Sequence, residues 1–89
     1  WPAPAPETAL YLHEKGIKTI GMDAPSIGSA HDPIPVHQEG LSRGMRYVEV
    51  LTNFDQLPVR GAYFVFLPLK IAGSSGGPGR AIALVPDQG

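Results

Sequence analysis

The sequence predicts an α/β chain with a mixed sheet, and three observations carry that expectation. Short apolar runs alternate with helix-forming segments along the 89 residues. Glycine and proline punctuate them, at Gly16, Pro25, Gly28, Pro33, Pro35, Gly44 and Pro58. In the first half the order strand, crossover, strand implies a right-handed parallel pair, whereas the last two strands flank a glycine-rich hairpin connection.

Element by element, residues 1–6 alternate proline with alanine and read as an extended arm. Thr8 to Lys15 forms a helix, with Pro6 in its first turn and Gly16 as its stop. Ile17 to Met22 is a short buried strand, and Asp23 to Pro35 a loop. His37 to Arg43 is a short helix weakened by Gly40, and Arg46 to Leu51 is the second strand. Asn53 to Pro58 makes a tight turn or a single helical turn. Ala62 to Ile71 is a long apolar strand in which Pro68 removes a ladder donor, so an edge, bulge or bend is expected there. Gly73 to Gly79 is a loop and Arg80 to Val85 the last strand. Tyr63, Phe64 and Phe66 read as core. The run from Ala62 to Leu67 is apolar on both faces and needs cover on both sides. Two short helices supply too little, so residues 1–89 are expected to form a single partial domain completed by other polypeptide.

Composition narrows the function classes. Seven basic and eight acidic residues give a net charge of −1, which offers no electrostatic case for nucleic acid or anionic membrane. A hydrophobic fraction of 43% argues against disorder. No apolar run approaches the roughly 20 residues that span a bilayer, and no signal-peptide pattern occurs. The cytoplasm is the expected compartment. Absence of cysteine excludes disulfides and thiolate metal sites. The chain starts at Trp1 and not Met, so its natural N-terminus is expected to lie elsewhere.

His37 and Glu49 stand out. They lie twelve positions apart, on either side of a helical stretch, with Glu49 inside the apolar run Tyr47–Leu51. A helix rises about 1.5 Å per residue and a strand about 3.3 Å. Six residues out on a helix and four back on a strand therefore roughly cancel, and both side chains can face one point. Strand alternation puts Glu49 on the same face as Tyr47 and Leu51, where a carboxylate needs a partner. Imidazole plus carboxylate suits part of a transition-metal site, but two ligands are too few. The pair suggests half of an active site.

Several segments resemble those of one family. Gly21-Met22-Asp23-Ala24-Pro25-Ser26-Ile27 is similar to the Gly-x-Asp-x-x-Ser stretch of the cyclase family of metal-dependent hydrolases, which includes kynurenine formamidase and isatin hydrolase. Pro35-Val36-His37 resembles its Pro-Ala-His segment. Val48 to Pro58 resembles its Glu-Asn-Leu-x-Asn-Leu-x-x-Leu-Pro stretch. Phe66 to Ile71 and Ser75 to Ala83 resemble its closing strands. The resemblance spans nearly the whole chain and implies the C-terminal part of a swivelling β/β/α domain. It also implies a one- or two-metal site, with zinc or manganese as the divalent ion, in which His37 and Glu49 are ligands. The family's earlier half supplies His-x-x-x-His-x-Asp and a proton-shuttling histidine, none of which occurs here. Val50 stands where the family usually has asparagine.

The implied function is part of a metal-dependent hydrolase that opens an amide, lactam or lactone carbonyl of a small molecule through a metal-activated water. An N-terminal fragment or subunit carrying the missing motif would complete it, in a homo- or hetero-oligomer. The alternative is a non-catalytic interaction module or remnant subunit that keeps the fold. On the residues alone, His37 reads as a surface histidine capping a helix; the resemblance favours a metal ligand, or an acid–base group beside a single metal. The plainer reading of Glu49 is an ion pair with Arg46 or Lys70. His31 and Asp32 read as solvated loop, and His13 as a helix C-terminal histidine. Asp23 and Ser26 read equally as a ligand-binding strand end or as a side-chain turn. Residues 73–80 lack the Gly-Lys-Ser/Thr ending and a following helix, so a phosphate-binding loop is excluded.

Overall fold

The computed structural model describes residues 1–87 and divides into two compact units, residues 1–52 and residues 53 onward. In the first unit helix α1 (Pro6–Glu14) is followed by strand β1 (Thr19–Gly21), helix α2 (Ile34–Leu41) and strand β2 (Arg46–Val48). The second holds a 3-10 turn (Phe54–Gln56) and strands β3 (Tyr63–Pro68) and β4 (Gly79–Leu84).

Strands β1 and β2 pair in parallel, with Thr19 opposite Arg46 and Gly21 opposite Val48. Strands β3 and β4 pair antiparallel, from Tyr63 opposite Leu84 to Pro68 opposite Gly79. The chain is thus α/β with both kinds of pairing, and among the described residues each pair forms its own two-stranded sheet. Pro68 ends its strand, as its missing N–H requires.

Both helices of the first unit stop by one device. Gly16 and Gly44 take positive φ (86° and 80°). Gly16 N–H donates to the His13 carbonyl and Ile17 N–H to that of Leu12; Gly44 N–H donates to Leu41 and Met45 N–H to Gly40. This is the glycine-terminated pattern that satisfies the last carbonyls of a helix. It turns the chain sharply from each helix into the strand that follows, and so brings β2 back beside α2.

Ala9, Ile27 and Val36 form the core of the first unit, with Ile20, Met22 and Tyr47 packed against them. Met45 and Val48 are buried as well. The arm is anchored rather than free: Trp1 Nε1–H donates to the Gly28 carbonyl at 3.2 Å, and Pro6 is already the first helical residue. Regular pairing is shorter than Ile17–Met22 and Arg46–Leu51, because a strand extends only as far as its partner.

Two of the three aromatics expected in a core depart from it, while Phe66 is half-buried. Tyr63 is 68% exposed and Phe64 43%, with Leu67 and Leu84 also open. Both faces of the β3–β4 pair therefore keep apolar surface in water, since no helix of its own unit lies across it. No helix among the described residues is long and apolar enough to cross a membrane.

Candidate functional site

His37 sits in the first half of α2, and Glu49 follows the last residue of β2. Their side chains meet, His37 Nε2 lying 3.3 Å from Glu49 Oε2, with both about 70% withdrawn from solvent (28% and 29% exposed). Backbone holds each of them as well, His37 through its second ring nitrogen and Glu49 through the same Oε2 that faces the ring. The His37 Nδ1 atom is 2.7 Å from the Pro33 carbonyl oxygen. Ile27 N–H donates to Glu49 Oε2 at 2.7 Å. A carbonyl oxygen can only accept, so Nδ1 carries the proton in that contact. A protonated ring would donate Nε2–H to the carboxylate, whereas a neutral ring with its proton on Nδ1 would turn the Nε2 lone pair toward a carboxylate oxygen, which is also an acceptor. Two acceptors facing each other need a proton or a cation between them.

Tyr47 completes the arrangement. Its ring meets the His37 ring edge-on at 5.4 Å between centroids, and its hydroxyl donates to the Val36 carbonyl at 2.7 Å. Burial, and then the Glu39 carboxylate, hold the Tyr47 phenol above its usual range, with a Gly40 backbone hydrogen bond working against them. The phenol therefore stays protonated and remains a donor. Gly40 is what lets it lie there: a Cβ at this position would overlap the Tyr47 hydroxyl and ring.

Glu49 reaches His37 by a route other than straight strand alternation. Regular pairing stops at Val48, and Val50 takes a left-handed conformation, φ 60°. Its N–H still donates to the Ala24 carbonyl, and Leu51 N–H to that of Met22, so the segment stays tied to the chain beyond β1. Tyr47 and Glu49 nevertheless share the side that faces His37. Left-handed backbone costs an ordinary L-residue about 1–2 kcal/mol and is tolerated best by glycine, then asparagine. The other left-handed non-glycine position holds such a residue, Asn53 (φ 66°). Val50 is 71% exposed, so its side chain contributes little packing in return. Val50→Asn is expected to raise stability by about 1 kcal/mol in denaturant unfolding; an unchanged midpoint would mean that the backbone here carries no strain.

The remaining candidates fall out plainly. His31 and Asp32 lie on exposed loop, where Asp32 N–H donates to Ser29 Oγ. Ser26 Oγ accepts the Gly28 N–H, the side-chain turn. His13 is in the last turn of α1. Glu49 pairs with His37 and not with Arg46 or Lys70. A cleft of about 260 Å³ lined by His13, Lys18, Arg43 and Arg46 lies at the opposite ends of β1 and β2. There basic side chains gather near helix C-termini, the sign the helix dipole favours.

The donors suit a divalent ion in kind: one imidazole nitrogen whose second nitrogen is backbone-bonded, and one carboxylate oxygen. They do not suffice in number. Among the described residues no group of three or more such side chains converges.

No family model matches the chain. Individual proteins do. It is 38% identical to isatin hydrolase of Roseibium aggregatum over 90 residues, covering 96% of this chain and 34% of that protein. It is 38% identical over 79 residues to kynurenine formamidase of Polaromonas naphthalenivorans, covering 88% of this chain and 35% of the relative. Its fold matches a solved structure described as a potential metal-dependent hydrolase with cyclase activity. That match has a TM-score of 0.75 and 31% identity, over 91% of this chain and 40% of the other. The chain spans about a third of the length of the curated relatives it matches.

Proposed function

We propose that this chain, which belongs by sequence and fold with the cyclase-type metal-dependent hydrolases, is the C-terminal part of such an enzyme and lends its metal two ligands, His37 and Glu49. The observation that carries the reading is the meeting of an imidazole nitrogen and a carboxylate oxygen, each side chain backed by its own backbone hydrogen bond. The likeness to hydrolases about three times as long supports the reading that the other ligands come from polypeptide outside these residues, bearing the His-x-x-x-His-x-Asp motif that this sequence lacks.

The reaction class is hydrolysis of an amide, lactam or lactone carbonyl in a small molecule. A divalent ion, zinc or manganese, supplies Lewis acidity and a more acidic water when bound. The part of this chain is narrower. His37 offers Nε2 in one orientation because the Pro33 carbonyl occupies Nδ1. Glu49 contributes negative charge at a fixed point, and Tyr47 closes the protein side of the imidazole. The apolar faces of β3 and β4 are where the rest of the enzyme packs.

The test uses the longest polypeptide that carries this sequence. It is expected to retain a divalent ion through purification and to hydrolyse formamide or lactone substrates, with chelation removing the activity and added metal restoring it. A complete protein that holds no divalent ion and hydrolyses equally well after His37→Ala would refute the assignment.

A further inference from the structure

We infer that Gly28 is a positioning residue for His37: by leaving room for Pro33, it lets the Pro33 carbonyl fix the imidazole tautomer that exposes the Nε2 lone pair. The inference rests on the metal-ligand reading of His37 but asks a separate question, namely what sets the ring.

The loop between β1 and α2 grips both sides of the site. Its Ile27 N–H holds Glu49 at 2.7 Å, and its Pro33 carbonyl holds His37 at 2.7 Å. Two acceptors thus compete for the one proton of a neutral imidazole. Pro33 offers a short contact on Nδ1; Glu49 Oε2 lies farther from Nε2, at 3.3 Å, and already accepts the Ile27 N–H. Distance and prior occupancy both favour the proton on Nδ1. Free imidazole has no such bias imposed on it, so the ligand-ready tautomer is a property of this loop.

Gly28 determines where that carbonyl sits. A Cβ there would come within 2.7 Å of the Pro33 oxygen and side chain, closer than atoms approach. The obstacle is backbone, which cannot swing aside as a long side chain would. A tie from Trp1 Nε1–H to the Gly28 carbonyl opposes a shift of Gly28 itself. Gly28→Ala is therefore expected to move Pro33, and with it the acceptor for Nδ1, without substituting either His37 or Glu49.

The experiment is nitrogen-15 NMR of the His37 ring, without metal and at alkaline pH where imidazole is neutral, together with zinc titration of the full-length polypeptide. Wild type is expected to show a protonated Nδ1 and an unprotonated Nε2. Gly28→Ala is expected to shift the ring toward the Nε2-protonated form and to weaken zinc about 10- to 100-fold, the usual scale for losing an outer hydrogen-bond partner. A wild-type ring protonated on Nε2 overturns the inference, whether or not the variant folds. So does a variant whose tautomer and zinc affinity both match wild type. If wild type binds no zinc yet carries the proton on Nδ1, the metal assignment is lost and the control of His37 by the loop stands.

Discussion

Replacing His37 with alanine is expected to weaken divalent-ion binding by more than the roughly 100-fold that an outer-shell change costs, with little loss of fold. The side chain is partly exposed on a helix. Alanine loses the bond to Pro33, about 1 kcal/mol, and the edge contact with Tyr47, about 0.5–1.5 kcal/mol, and regains about 0.5 kcal/mol through its helix propensity, a net cost of about 1–2 kcal/mol. Glu49 divides into two informative variants. Glu49→Gln keeps an oxygen for the Ile27 N–H and removes the charge, so cation affinity falls and stability holds. Glu49→Leu also strands that N–H, on a residue with 0% exposure, and is expected to cost a further 1–3 kcal/mol or so. Thermal unfolding of the longest polypeptide that carries this sequence, with and without zinc, separates the effects. A ligand at a hundred times its Kd adds about 2.7 kcal/mol to the stability of the protein that binds it. Wild type should gain on that scale, and His37→Ala and Glu49→Gln should not. An equal gain in both variants would move the cation to other residues.

The meeting of His37 and Glu49 was legible because the features that bring it about are written in side chains. Pro35 stands in the first turn of the helix, which begins at Ile34, ahead of the His37 expected to start it; Gly44 follows its end, and the apolar run after it has to return to the core. What the sequence hides is the backbone share of the site. The Ile27 N–H and the Pro33 carbonyl have no residue-type signature, and every residue of the loop offers nearly the same groups. Gly40 reads as a flaw in a helix because propensity is local, whereas its reason lies seven positions on, in Tyr47. Val50 stands at a left-handed position, and only the φ angle says that asparagine would suit it better. The aromatic strand was legible in part: two short helices are too little cover for a run apolar on both faces, and Tyr63 and Phe64 indeed stay exposed, with Phe66 half-buried, where hydrophobicity alone would put all three in a core.

Gly40→Ala sets two terms of opposite sign against each other, and the packing term is expected to win. Gly40 is helical, so alanine should help by about 1 kcal/mol on propensity alone. Its methyl group, however, falls where the Tyr47 hydroxyl and ring lie. Tyrosine cannot yield by bending: the ring is rigid, its hydroxyl is tied to the Val36 carbonyl, and its edge rests on His37. Displacement forfeits a hydrogen bond of about 1 kcal/mol and an aromatic contact of about 0.5–1.5 kcal/mol, besides strain in the half-buried layer. The net expectation is a loss of about 1–2 kcal/mol, accompanied by weaker cation binding because His37 loses its neighbour. The diagnostic is a change of sign. In a Tyr47→Ala background the obstacle is gone, and the same Gly40→Ala change should stabilise by about its propensity, near 1 kcal/mol. Chemical denaturation of the four proteins of this cycle gives the coupling directly. Stabilisation by Gly40→Ala in the wild-type background would mean that Tyr47 is not wedged between helix α2 and the imidazole, and the support for His37 would then have to come from the Pro33 carbonyl alone.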